Sequence, residues 1–502
     1  MRKTPPVADL RNVQGRSTSF VASLHHNWPG MLALLALVLV TRAAWFSDPV
    51  ADYDEQLYSF IGWRMQYGEL PYVDWWDRKP FGLFAIFGLA HALFGPGPIA
   101  FQLAAALAAL AAGWLTYANA RLIGGRLAAT FAGAVTVMLL AAYVSHSGQS
   151  EVFFTPLLLA MVRLLAETRH PAFTRRAALA MLLGGLALQV KYTVLPHCMV
   201  LGLYALWVEY RRGADLAMLA KRALLFLALG LLPTLLVALI YLAAGGFDAF
   251  YFANFMSFFD RIPATQGRWQ DGYRILLVPL VVFAGGGAIA SFTNSRPYDW
   301  TVWRLFMLFA LGAVGSVFFP STIYGYYFAG FAAPAALLAV PLFNSRTPLR
   351  IVFSLLLLGA LAFLLYLPAR YERSQQERRE AARFAEAIAP HVGATTNCLW
   401  LFDGPTSLYR MTGSCVPTRF VYPDHLNNAL ETEALGVDQA GEVARILATR
   451  PGVIVTASRP VTPQNRQATA LVKAALEQDY RQIATANIQR RTLTAWARTK
   501  TE

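Results

Sequence analysis

RALLFLALGLLPTLLVALIYLAA, residues 222–244, carries a single charge, at its first position. As a helix rising 1.5 Å per residue it covers the ~30 Å hydrocarbon core of a bilayer. Working outward, further apolar runs occupy 30–46, 99–120, 127–144, 152–166, 177–190, 194–208, 273–290, 303–319, 327–343 and 350–368. Of 502 residues, 56% are hydrophobic and 14% charged, with a mean hydropathy of +0.42. That usage excludes an ordinary soluble fold and predicts a polytopic α-helical membrane protein. The net charge of +14 falls in short gaps between apolar runs and forms no continuous stripe, so its partner is membrane lipid and not nucleic acid.

Basic residues cluster at the N-terminus (Arg2, Lys3, Arg11, Arg16), at Arg121 and Arg126, and within 169–176, 211–222, 296–304 and 346–350. Placing every cluster in the cytoplasm satisfies the positive-inside rule. The parity then demands one net crossing for 81–120, which Gly95-Pro96-Gly97-Pro98 splits in two. The first piece, 81–94, is too short to span comfortably and reads as a partial or re-entrant segment. The expectation is about eleven crossings of a bacterial inner membrane. A cytoplasmic segment (1–29) precedes the membrane domain (30–368), and an extracytoplasmic domain (369–502) follows it. The run 31–46 lacks a small-residue cleavage site and reads as an uncleaved first span.

From Arg370 the composition turns charged and mixed. An Arg/Glu-rich helix through Glu386, strands at 398–403 and 453–456 and an amphipathic helix at 468–478 predict a small α/β domain. Cys198 lies in an apolar run, whereas Cys398 and Cys415 fall in this domain. An oxidising compartment would let them pair; otherwise they are two thiols.

Between the first span and Phe81 lies SDPVADYDEQLYSFIGWRMQYGELPYVDWWDRKP, residues 47–80, on the outer side by the charge argument. Asp52, Asp54, Glu55, Asp74 and Asp77 stand beside Arg64, Arg78 and Lys79, with tryptophans and tyrosines interleaved. Carboxylates, cations and aromatic faces are the parts needed to bind a sugar and a phosphate at a membrane surface. Helical spacing over 55–67 predicts an amphipathic helix lying on the membrane, with Asp54 at its N-cap. From spacing alone, capping and catalysis are alternatives for Asp54, as are snorkelling and phosphate binding for Lys79.

The pair Asp54-Glu55, Tyr58, the loop DWWDRKP and the apolar run after it resemble the polyprenyl-phosphate-sugar-dependent C-type glycosyltransferases, especially the protein mannosyltransferase and aminoarabinose transferase group. The resemblance extends through most of the membrane region, with the first loop as its specific part. It implies a multi-span GT-C-like core, an active site at the outer membrane face and an outer soluble domain. It also implies that Asp54 is the general base deprotonating the acceptor, with Glu55 as its acidic neighbour. Lys79, immediately before Pro80, matches the lysine that holds the lipid phosphate as a point charge. Glu151 occupies the place of a second loop carboxylate, where relatives more often show Asp. Arg78 stands where some relatives carry Glu, and Leu57 where the aminoarabinose branch carries Arg, so the sugar is not specified.

Lys191 faces outward against the positive-inside trend, as a phosphate helper beside Arg78 or as a snorkelling cation. Glu151 and Tyr58 would position acceptor or sugar; His146 and Gln149 share the polar stretch SHSGQSE. Tyr324, Tyr326 and Tyr327 crowd an outer mouth, to stack on a sugar or to form an aromatic belt. In the loop 245–272, Asp260, Arg261, Arg268 and Asp271 are substrate contacts or solvated charges. No His/Cys cluster has zinc spacing, and no Walker loop or GxGxxG follows a strand. No cofactor is required, although neighbouring carboxylates leave room for a divalent cation. The expected reaction is a single inverting displacement of polyprenyl phosphate by a hydroxyl of a lipid, envelope glycan or protein. The alternatives are a flippase or transporter, which would carry ionisable groups at mid-membrane, and a non-catalytic glycan-assembly protein.

Overall fold

The structure, a computed structural model, describes residues 20–263, 273–293, 296–318, 320, 323–344, 348–365 and 367–499. Most of the N-terminal segment, together with Arg268 and Asp271, lies outside the described residues. The chain opens with α1 (Phe20–Arg42), α2 (Asp54–Arg64), α3 (Phe81–Phe94), α4 (Pro98–Ala120), α5 (Arg126–Ala142), α6 (Ser150–Ala166), α7 (Phe173–Leu188), α8 (Leu195–Arg211) and α9 (Leu216–Ala243). Two short helices, α10 (Phe247–Tyr251) and α11 (Ser257–Asp260), flank a π-helical turn and precede α12 (Tyr273–Phe292) and α13 (Trp300–Phe318). The apolar run 327–343 is not one helix. It breaks into a 3₁₀ segment (Gly325–Phe331), α14 (Ala332–Leu338) and α15 (Val340–Phe343), the last two each carrying a proline in its first turn, where the missing amide costs least. Then come α16 (Pro348–Leu365) and α17 (Leu367–Ile388).

Among the described residues six helices are long and apolar enough to cross a membrane, and α3, α5 and the Gly325–Leu338 segment are shorter apolar helices. The faces agree with a lipid surround: on α9, Leu224, Leu227, Leu235 and Leu239 are each more than half exposed, which an aqueous solvent would penalise. Small residues let the helices approach closely. A Cβ added at Gly185 would lie 2.4 Å from the Gly230 carbonyl, so α7 and α9 pack backbone to backbone there.

The turns at one end of the bundle touch each other: Tyr298 N–H bonds the Ile123 carbonyl (3.1 Å), Gly125 N–H bonds Asn344 Oδ1 (2.9 Å), and Arg212 reaches the carbonyls of Thr168 and His170. These are the basic turns. The loops 43–53, 143–149, 189–194 and 244–263 gather at the opposite end. α3 is too short to be one of the six, and α3 and α4 begin at the same end. α3 starts there, where Leu83 N–H meets the Gln189 carbonyl (3.0 Å), and α4 also starts there, where Gln102 bonds Ser47 N–H (2.7 Å) and the Asp48 carbonyl (3.0 Å).

The C-terminal region is built on a four-stranded sheet of order β1-β2-β4-β3, with β1 (Leu399–Leu401) parallel to β2 (Val453–Ala457) and β3 (Tyr480–Ile488) hairpinned antiparallel to β4 (Arg491–Arg498). Its helices are α18 (Ser407–Thr412), α19 (Pro423–Asn427), α20 (Gln439–Ala448) and α21 (Arg466–Asp479). β3 and β4 went unread in the sequence, because β4 alternates Arg491, Leu493, Ala495 and Ala497 inward, a faint pattern of small and charged residues. Cys398 and Cys415 form a disulfide that fastens the start of β1 to the loop after α18. The domain sits on the polar loops of the membrane region: Trp76 N–H bonds the Arg419 carbonyl (3.0 Å), Ser407 N–H bonds Gln56 Oε1 (3.1 Å), Ile262 N–H bonds the Leu430 carbonyl (3.1 Å) and Ser374 Oγ bonds Asp48 (2.6 Å). The loop 47–80 and the sheet domain therefore lie at one end of the helices.

Candidate active site

The residue before α2 is Tyr53, and no side chain caps the helix. Asp54 is instead the first helical residue, and its carboxylate points off the axis: Tyr58 Oη donates to Oδ2 (3.3 Å) and Tyr422 Oη, from the sheet domain, to Oδ1 (3.1 Å). The expected N-cap role is not what the structure holds. Nor does α2 lie on a surface with one wet face, since every residue from Glu55 to Gly62 is buried. It is wedged between α3 and the sheet domain, and a Cβ at Gly62 would come within 2.7 Å of Gly88 N. A polar first turn is thereby carried into the protein interior.

The other side of the site is the turn 70–80. Tyr72 is fully buried with a left-handed backbone (φ 68°) and donates from its hydroxyl to the Lys79 carbonyl (2.8 Å). A non-glycine residue at positive φ is uncommon and strained, and this one fixes where Lys79 leaves the chain. Asp77 Oδ1 accepts the N–H groups of both Arg78 (2.5 Å) and Lys79 (2.8 Å), an Asx-type turn that presents two cations in succession. Lys79 Nζ lies 5.5 Å from the centre of the Tyr58 ring and, among the described residues, has no carboxylate within ion-pair distance. Arg78 is engaged: its guanidinium forks onto Glu431, to which Arg261 Nε also approaches at 2.8 Å. Burial alone would raise the Glu431 carboxyl, but Arg78 and Arg261 hold it down to about 2. Arg261 also donates to Tyr324 Oη (2.9 Å).

Lys191 is buried between α7 and α8, paired with Glu151 in the first turn of α6, and covered by the Tyr326 and Tyr327 rings, 5.1 and 4.0 Å away. Glu151 acts behind Lys191 and does not itself line the cavity. Glu55 also turns away, accepting the Gly148 N–H (2.5 Å), while Gln149 Nε2 donates to Asp52 (2.8 Å). Burial raises the carboxyl groups of Asp52 and Glu55, with the charge of Asp54 adding to the first and that of Asp52 to the second. These contacts tie the SHSGQSE stretch under the start of α2.

Asp54, Tyr58, Arg78, Lys79 and Lys191 thus line one cavity of about 380 Å³ at the junction of membrane helices and sheet domain. Asp52, Arg261 and the three tyrosines 324, 326 and 327 line it too. The sheet domain adds Tyr422, Asp424, His425 and Glu431, none of which the sequence reading singled out. Burial, then the neighbouring carboxylates Asp403, Glu431 and Asp54, pushes Asp424 up to about 7, and burial lowers His425 to about 4. The run Tyr422-Pro423-Asp424-His425 was the available signal, dense in polar and aromatic groups, but nothing in its spacing says that it folds over the first loop. Among the described residues no group of three or more His, Cys, Asp and Glu side chains is placed to hold a metal ion.

No protein-family model matches this chain, and no curated protein matches it. Solved structures do. The undecaprenyl-phosphate-bound ArnT of Cupriavidus metallidurans superposes with a TM-score of 0.63 at 16% identity, over 93% of this chain and 98% of that one. Its apo form gives 0.59 at 15% identity, over 94% and 98%. The apo oligosaccharyltransferase of Archaeoglobus fulgidus gives 0.50 at 11% identity, over 87% and 70%. The arrangement expected from the first-loop resemblance, a multi-helix membrane core followed by a C-terminal sheet-containing domain, is the fold that this chain shares with these structures.

Proposed function

We propose that the protein is a membrane glycosyltransferase that moves a sugar from a polyprenyl-phosphate donor to a hydroxyl acceptor at the outer face of a bacterial inner membrane. One observation carries the reading: one cavity is lined by a carboxylate, Asp54, and an ammonium, Lys79, neither of which forms an ion pair among the described residues. Asp54 takes the proton of the acceptor hydroxyl, whose oxygen bonds to the anomeric carbon as the bond to the phosphate oxygen breaks. The electron pair leaves with the lipid phosphate, and inversion follows from the single displacement. Lys79 neutralises the departing oxygens, with Lys191 and Arg78 beside it. Tyr58 and Tyr422 orient the base, and the 324–327 tyrosines offer stacking faces. Glu55 and Glu151 work from behind, through the 145–149 loop and through Lys191. The cations supply the charge that phosphate departure needs, so the mechanism requires no metal; Asp52 and Asp54 are where a divalent ion would add to it. ArnT carries undecaprenyl phosphate in its structure, which supports this donor class. The acceptor belongs to the lipids, envelope glycans or proteins of the outer compartment.

The outward siting rests on the basic turns at the far end of the bundle and on the Cys398–Cys415 disulfide, at home in an oxidising compartment. With about eleven crossings, a phosphatase fused at the C-terminus should be active; activity only from a cytoplasm-dependent reporter would reverse the topology. The function is tested by transfer of radiolabelled sugar from polyprenyl phosphate by the purified protein. In that assay Lys79→Ala should weaken donor binding by roughly tenfold or more, the worth of one charge-assisted phosphate contact, with acceptor dependence unchanged. An unaltered donor affinity would remove Lys79 from the phosphate site.

A further inference from the structure

A second cavity, about 470 Å³, opens where α1 and α16 end, and shares no lining residue with the cavity of Asp54. Both helices are apolar spans, and Trp45 and Leu365, just at their ends, line the cavity. Its depth is therefore the headgroup layer, where tryptophan and arginine meet lipid phosphates.

Three arginines from two distant segments converge on it: Arg370 and Arg373 of α17, and Arg490 of the β3–β4 turn. Arg370 feels the charge of both others and stacks 5.9 Å from the Trp45 ring. Among the described residues none of the three forms an ion pair. The cavity's own carboxylates stand beyond ion-pair distance: Asp48 is taken by Ser374 Oγ (2.6 Å) and Val50 N–H (2.9 Å), and Glu377, beside the Gln489 backbone, feels the charge of Arg373 and Arg490 without closing on either. At the bottom, His146 is 6% exposed and stacked on Trp45 at 3.8 Å. Neither of its ring nitrogens has a hydrogen-bond partner of good geometry, although the Ala51 backbone lies beside it. A buried polar ring left so is costly unless something else completes it.

The turn itself is unusual. Gln489 and Arg490 both have positive φ, 52° and 61°, a two-residue hairpin conformation that Asn-Gly fills with least strain. Here it carries two long side chains. Gln489 Nε2 donates to the Val50 carbonyl (2.9 Å), pinning the turn to the loop after α1, and Arg490 stands at the cavity wall. Guanidinium groups outside any ion pair among the described residues, a buried imidazole without a well-aligned partner and the apolar faces of Trp45 and Leu365 at headgroup depth are complementary to one chemistry, a phosphate on a lipid.

We propose that this cavity binds the phosphate of an anionic membrane lipid, separately from the catalytic cavity. The guanidinium groups take the phosphate oxygens by paired N–H bonds, His146 adds a donor, and Trp45 and Leu365 receive the first carbons of the lipid. Because Arg370 and Arg373 belong to the helix leaving the membrane and Arg490 to the sheet, one lipid would clamp the domain to the bilayer face.

The test is lipid retention by the delipidated full-length protein, measured by native mass spectrometry against added phosphatidylglycerol, phosphatidylcholine or inorganic phosphate. Wild type should hold phosphatidylglycerol in preference to phosphatidylcholine. R373Q/R490Q should weaken that binding about 30-fold, some fivefold for each arginine, whereas R383Q, on the exposed part of α17, should not change it. If the double variant fails to fold, R373Q alone, at an exposed position, should give the fivefold loss. Equal retention of the two lipids, or binding unchanged by R373Q/R490Q, would overturn the site. Full competition by inorganic phosphate with no advantage for the lipid would overturn the lipid as its source.

Discussion

Asp54→Asn should lower sugar transfer by about 10² to 10⁴-fold, the usual contribution of a general base, while the protein remains folded in the membrane. The surroundings of Asp54 make this substitution clean. Among the described residues its carboxylate accepts only from the hydroxyls of Tyr58 and Tyr422, and an amide oxygen can keep one of those bonds. No capping bond to the start of α2 is at stake, because the carboxylate makes none, so loss of activity cannot be traced to a frayed helix. Tyr422→Phe is the informative companion. It frees one oxygen of Asp54 from a donor across the domain junction without touching the charge, so it should change rate far less than Asp54→Asn. Measured turnover at saturating donor decides: a near-normal rate for Asp54→Asn would remove it as the base. A Tyr422→Phe loss equal to that of Asp54→Asn would instead mark the hydroxyl as the essential group.

The contrast between α2 and the lipid-facing helices α9 and α12 explains how far the sequence could be read. Apolar runs report directly on the bilayer, because a helix facing lipid must satisfy its backbone internally and cover itself with hydrocarbon; 222–244 and 273–290 are therefore legible as α9 and α12, although α9 begins six residues earlier, at Leu216, and α12 runs on to Phe292. The same rule misreads α2. Its polar residues suggested a wet face, but a polar helix can be buried when its partners are polar too, and those partners, Tyr422 and Ser407, lie some 350 residues downstream. Lys79 and Asp54 were readable because the loop motif resembles a family. Asp424, His425 and Glu431 were not, because no local spacing encodes a domain folding back over a loop. Arg78 shows the cost: read as a phosphate ligand, it is held by Glu431, a partner that only the tertiary fold supplies. Donor phosphate reaching Arg78 must share or displace that carboxylate.

The buried pair Lys191–Glu151 supplies the largest expected effect on stability. Side-chain exposures of 5% and 2% put both charges out of water, where removing one partner leaves the other uncompensated at a cost of about 3 to 5 kcal/mol. Glu151→Gln keeps the shape and the bond from Ser150 Oγ (3.0 Å) but strands the ammonium, so thermal unfolding of the purified protein should begin well below that of wild type. Lys191→Met strands the carboxylate with a similar penalty. Combining the two removes both charges, and a neutral pair of similar volume is often as stable as the ion pair it replaces; the double variant should regain most of the lost stability. Activity then separates structure from chemistry. If Lys191 meets the donor phosphate through the cavity it lines, Glu151→Gln/Lys191→Met stays folded but transfers poorly, with its defect in donor binding. If the double variant recovers transfer along with stability, Lys191 is a strut for the Tyr326–Tyr327 wall, and Lys79 carries the phosphate without it.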